Sequence, residues 1–91
     1  MEHKKTLIIQ NDLGLHGRAA AKIVELSRKY KSKLFFQKNG HGEVDGSNIL
    51  SILTLSGSKG TEIVVKAFGE DSKELLEELN ILFDNKFGEG R

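Results

Sequence analysis

Residues 14–18 read Gly-Leu-His-Gly-Arg and run into the alanines 19–21. A histidine between two glycines, two places before an arginine, is a combination that can hold and transfer an anion. If a helix begins just after His16, the backbone N–H groups of Gly17, Arg18 and Ala19 have no intrahelical acceptor and point toward the imidazole. Such a helix end carries about half a positive charge and is an anion site. Its dipole favours the neutral, nucleophilic imidazole. A phosphoryl group on that ring would meet these N–H donors and the Arg18 guanidinium, whose planar fork suits phosphate oxygens. Gly14 and Gly17 allow close approach and unusual backbone angles beside the ring. A histidine at a helix start can also be a plain cap, and spacing alone leaves both roles open.

The surrounding elements must place that histidine. KKTLIIQ (4–10) reads as a β-branched strand ending at the turn signal Asn11-Asp12. From Arg18 to Tyr30, Ala19, Ile23, Leu26 and Tyr30 recur at helical gaps, and Ala20 and Val24 widen the stripe. Arg28, Lys29 and Lys31 cluster at its end, where they complement the dipole. KLFFQK (33–38) is a strand, NGHG (39–42) a hairpin turn, and Glu43 to Asp45 a short return strand. Ser47 or Asn48 can cap a short helix bearing Ile49, Leu50, Ile52 and Leu53. TEIVVKAF (61–68) is a strand with Ile63, Val65 and Ala67 on one face and Val64 and Phe68 on the other. Asp71 stands three residues before Glu74, the pattern of a capping box. It opens a last helix with the stripe Leu75, Leu76, Leu79, Leu82 and Phe83. The order β-α-β-β-α-β-α predicts an α+β fold, one sheet with helices on one face.

The 91 residues bound one domain, 1–91, with one modest core. There is no cysteine, so disulfides and thiolate metal sites are excluded. Three histidines far apart in sequence predict no metal site. No apolar run approaches the ~18 residues of a membrane span, and MEHKK leads straight into a strand, so the expectation is a soluble cytoplasmic protein without a membrane partner. The net charge of +1 is uneven. Residues 1–38 carry nine basic and three acidic side chains, and the remainder five and ten. A basic half can steer an acidic partner. With no aromatic ladder among the basic residues, nucleic acid is not the expected one.

GLHGRAAAKIV, together with VDGSNILSILTLSGSKGTEI and the late FGE, resembles the histidine-containing phosphocarrier (HPr) family of the bacterial phosphoenolpyruvate-dependent phosphotransferase system, including its nitrogen-related paralogue. The likeness runs from the first strand to Phe87. It implies an open-faced β-sandwich: a four-stranded antiparallel sheet covered on one side by three helices. It implies that His16 accepts a phosphoryl group from enzyme I and passes it to a sugar-specific or regulatory enzyme II A-type protein. The chain is then a relay, not a stand-alone enzyme, and needs no cofactor. Arg18 matches the phosphate-stabilising arginine, and Ile49, Leu50 and Leu53 match docking residues of the second helix. Glu89 is implied to lie near Arg18. Asp12, beside the loop, could orient the ring or simply serve the turn. A monomer is expected.

Two departures from the family pattern stand out. Ala19 occupies the place of a proline and Gly17 that of alanine or threonine, so a looser helix start is expected. Asn48 replaces a regulatory serine; it caps well and cannot be phosphorylated, so a serine switch is not expected, although Ser47 and Ser51 lie close by. Two other classes compete with the relay. A non-phosphorylated docking module on the same fold would need neither His16 nor Arg18. A small acyl-phosphate hydrolase would need a second polar cluster to position a water, and the chain offers none.

Overall fold

Strand register decides where the first element begins. In the computed structural model, which describes residues 1–91, β1 spans Glu2–Ile8 and β4 spans Glu62–Phe68, paired antiparallel from Glu2↔Phe68 to Ile8↔Glu62. β1 therefore starts earlier than the β-branched run suggests, because the seven-residue partner extends the ladder back to Glu2. Ile9 still bonds Thr61 and Gly60 through its backbone, and its side chain is in the core. β2 (Lys33–Lys38) pairs with the other edge of β4, and the two-residue β3 (Val44–Asp45) closes the sheet in the order β1-β4-β2-β3, all antiparallel.

Period-two alternation gives the sheet two unlike faces. Ile63, Val65 and Ala67 of β4 and Leu34 and Phe36 of β2 are buried on the helix side. Val64 and Phe68 lie on the opposite, open face, where Phe35 and Phe68 meet edge to face at 5.9 Å. Three helices cover the inner side: α1 (Gly17–Ser27), α2 (Ile49–Leu53) and α3 (Ser72–Asp84). This is the single sheet with helices on one face that the element order predicts, and the four-stranded open-faced sandwich that the resemblance implies. Ala19 and Ala20 are fully buried and bring the start of α1, with His16, close onto the core. α3 buries Leu75, Leu76, Leu79 and Phe83, with Leu82 partly covered.

Two helix ends differ from expectation. α1 stops at Ser27, whose hydroxyl donates to Val24 O at 2.8 Å, and Tyr30 packs on the core from the following turn. Arg28, Lys29 and Lys31 consequently follow the helix rather than occupy its last turn. Asp71 makes no side-chain bond to its own helix. Its carboxylate accepts instead from the N–H groups of Lys31 and Ser32, both at 2.9 Å, and from the Ser32 hydroxyl at 2.5 Å. Three tertiary donors outcompete the local capping box, so Asp71 ties the α1–β2 turn to the start of α3.

The Ser32 hydroxyl, then the Lys31 N–H, hold the Asp71 carboxyl below its ordinary value. A depressed folded-state value contributes stability that is present above the ordinary carboxylate range and lost as pH falls through the folded value. Asp71→Ala should therefore lower Tm at neutral pH. The gap from wild type should narrow in acid, a comparison that thermal melts at several pH values would make.

Candidate functional site

Four segments converge on His16. The loop before α1 carries Gly14 at φ +67, a conformation favouring glycine, and a Cβ there would run into the carbonyl of Gly57. Leu15 N–H donates to that same carbonyl at 2.8 Å, which fastens the loop to the α2–β4 connection. His16 is the N-cap of α1 with extended backbone (φ −84, ψ 179), and its carbonyl takes the first helical bond, from Ala20 N–H at 2.9 Å. The helix begins at Gly17 despite the absent proline.

The ring is held at both nitrogens. Arg18 N–H donates to His16 Nδ1 at 3.2 Å. On the other side Nε2 contacts Glu89 Oε2. A carboxylate only accepts and a backbone N–H only donates, so Nε2 bears the hydrogen and Nδ1 presents its lone pair to the helix N-terminus. The Nδ1 lone pair is the nucleophile this geometry offers.

Glu89 is brought there by the chain's last turn. After α3 the chain makes a 3₁₀ turn (Lys86–Gly88) with Lys86 and Phe87 at φ 55 and 54. Phe87 is fully buried against Phe83, ring centroids 5.0 Å apart, and Lys22 Nζ donates to its carbonyl. Glu89 Oε1 accepts from Asn11 Nδ2 at 2.9 Å, and the same amide donates to Gly14 O at 2.9 Å. Burial raises the Glu89 carboxyl, but the hydrogen bonds from His16 and Asn11, with the charge of Arg18 nearby, outweigh it and leave the group below its ordinary value.

Glu89 lies near Arg18, in the wall of the same cleft, and its hydrogen bonds go to His16 and Asn11. The Arg18 guanidinium is in no ion pair and lines a cleft of about 550 Å³ with Asp12, Leu13, Gly88, Glu89 and Arg91. Asp12 does not orient the ring: it pairs with Lys59 at 2.8 Å. Asn11, read from sequence only as a turn residue, is fully buried beneath the site. The assembled site offers an anion one imidazole nitrogen, the N–H groups of the first turn, of which that of Arg18 is lent to Nδ1, and a free guanidinium. His3 lies elsewhere, 2.7 Å from the Ser72 hydroxyl, and His41 turns its Nδ1 to Gly42 O.

Known proteins share this arrangement of chain. Residues 3–85 match the sequence profile of the family described as "PTS HPr component phosphorylation site". The chain belongs to the HPr family. It is 39% identical over 89 residues to the phosphocarrier protein HPr of Xylella fastidiosa, covering 98% of this chain and 97% of that protein. It is 32% identical over 89 residues to the phosphocarrier protein NPr of Escherichia coli K12, covering 98% and 99%. Its backbone superposes on the crystal structure of HPr from Thermoanaerobacter tengcongensis with a TM-score of 0.90 at 33% identity, covering 96% and 97%.

The short second helix divides its apolar residues between the core and the surface. Ile52 is fully buried, whereas Leu50 is 74% exposed and Ile49 38%, with Leu53 half-buried. Leu13, in the loop before His16 and unmarked by any sequence signal, is 68% exposed. Asn48 caps α2, its Oδ1 accepting from Ser51 N–H at 3.0 Å. Ser47 is turned aside, its hydroxyl and N–H both donating to Asp45 Oδ1.

Proposed function

We propose that this HPr-family domain, residues 1–91, is a phosphoryl relay: His16 Nδ1 accepts a phosphoryl group from enzyme I and yields it to an enzyme II A-type protein. The observation that supports this best is the Nδ1 lone pair set against the N-terminus of α1 beside an unpaired arginine. On attack the lone pair forms the N–P bond while the donor's bond to phosphorus breaks and its electron pair stays with the donor. Arg18 N–H is released from Nδ1 and, with those of Gly17 and Ala19, is free to meet phosphate oxygens; the Arg18 guanidinium takes the remaining charge. Nothing in the site positions a water for hydrolysis, so the phosphoryl group waits for an acceptor.

Leu50 and Ile49, with the edge of Leu53, form the apolar contact for both partners, because an exposed apolar cluster beside a charged site is a docking surface. The domain acts as a cytoplasmic monomer. With asparagine at position 48, that position carries no serine-phosphate switch. The test is a chase. Phosphorylated protein, freed of phosphoenolpyruvate, should lose its label to an added enzyme II A-type protein and retain it with albumin. Retention in the presence of a panel of such acceptors, each shown to accept from another HPr, would contradict the relay.

A further inference from the structure

Phosphoryl transfer as read above uses Nδ1, Arg18 and the helix end; it leaves the other ring nitrogen and the carboxylate on it without a task. That carboxylate is expensive to place. It is the side chain of a residue 73 positions away, only 9% exposed, at the end of a turn in which two consecutive non-glycine residues hold positive φ. Such backbone conformations are unfavourable and persist only where surrounding structure imposes them. Here Phe87 in the core and Lys22 on its carbonyl impose the turn before Glu89, and Asp12 N–H on the carbonyl of Arg91 fixes the chain after it. The carboxylate is further oriented by Asn11, whose buried Oδ1 has no partner while its amide nitrogen serves Glu89 and Gly14.

We propose that Glu89 is a positioning residue: it grips the Nε2–H of His16, so that Nδ1 is the only nucleophilic nitrogen and faces the helix N-terminus before and after transfer. This deepens the relay reading and rests on it. During the transfer described above, Nε2 keeps its proton, and the positive charge the ring acquires as Nδ1 bonds phosphorus is met by the Glu89 carboxylate. On the return step the ring leaves phosphorus as neutral imidazole with that proton still in place. No proton has to be found or lost in either direction. Arg18 on the Nδ1 side and Asn11 beneath Glu89 are the groups that frame the pair.

The test uses Glu89→Ala and Glu89→Gln, the latter retaining an acceptor oxygen. In ¹⁵N-labelled unphosphorylated protein, wild type should show a hydrogen-bonded, slowly exchanging Nε2–H resonance. It should persist in Glu89→Gln and vanish into exchange with water in Glu89→Ala. Phosphate uptake from enzyme I should fall roughly 10–100-fold in Glu89→Ala, and Glu89→Gln should recover part of it. A merely structural role would move neither the resonance nor its rescue. An Nε2–H signal unchanged in Glu89→Ala, or uptake at the wild-type rate, would overturn the assignment of Glu89. Wild-type protein that shows the resonance but takes no phosphate from an active enzyme I would instead overturn the relay reading on which it rests.

Discussion

His16→Ala protein should take up no phosphate from enzyme I, and Arg18→Ala protein should take it up about 10²–10³-fold more slowly. The two losses differ because the two side chains do different work. Without the imidazole the cleft keeps only carboxylates held by other groups, Asp12 by Lys59 and Glu89 by Asn11, and the other two histidines lie in the first strand and the hairpin turn. Arg18 supplies charge where charge develops, and removing one such preorganised donor costs about 10²–10³ in rate. The backbone N–H groups of the first turn survive that substitution, so some transfer survives with them. Rapid-quench measurement of uptake, with melting curves to show that the exposed Arg18 side chain contributes little to stability, separates the two.

Phe87→Ala should lower stability by about 3–5 kcal/mol, the usual cost of truncating a buried phenylalanine. Phe87 is completely buried and stacks at a tilt on Phe83 of α3. Alanine would leave a void beneath α1 and α3 while keeping a non-glycine residue at φ 54, so the strained turn would lose what holds it and gain nothing. The consequence reaches the site: with the turn released, Glu89 leaves His16. Denaturant unfolding should report the stability loss. The Nε2–H resonance should disappear in Phe87→Ala as it does in Glu89→Ala, with the sheet's backbone spectrum retained.

What could be read from the chain follows the range of the interactions involved. The helix face of β4 and the stripe of α3 were legible because alternation and helical periodicity are properties of neighbours in sequence, and Ile63, Val65, Leu75 and Leu79 lie where that pattern puts them. The placement of His16 at a helix start was legible for the same reason, since glycine, alanine and the stripe behind them mark the boundary. Asp71 is the N-cap that its spacing from Glu74 predicts, but the partners of its side chain were not legible, because aspartate three before glutamate reads the same whether or not better donors arrive from elsewhere. Lys31 and Ser32 become available only when the α1–β2 turn folds against it. Glu89 depended on a backbone reversal at Lys86 and Phe87 that no residue type there announces. The resemblance implies its nearness to Arg18, which holds; its contact with the imidazole comes from the geometry of that reversal.

In the charged protein, phosphate should reside on one nitrogen of one ring. The protein, labelled with ¹⁵N, is incubated with phosphoenolpyruvate and enzyme I, and the product is followed by phosphorus and nitrogen NMR with intact mass. The expected product is a single adduct, labile in acid and stable in base, with phosphorus coupled to Nδ1 of His16 and the hydrogen still on Nε2. Phosphate on Nε2, an acid-stable adduct on a serine, or no adduct under an enzyme I that charges another HPr would each contradict it.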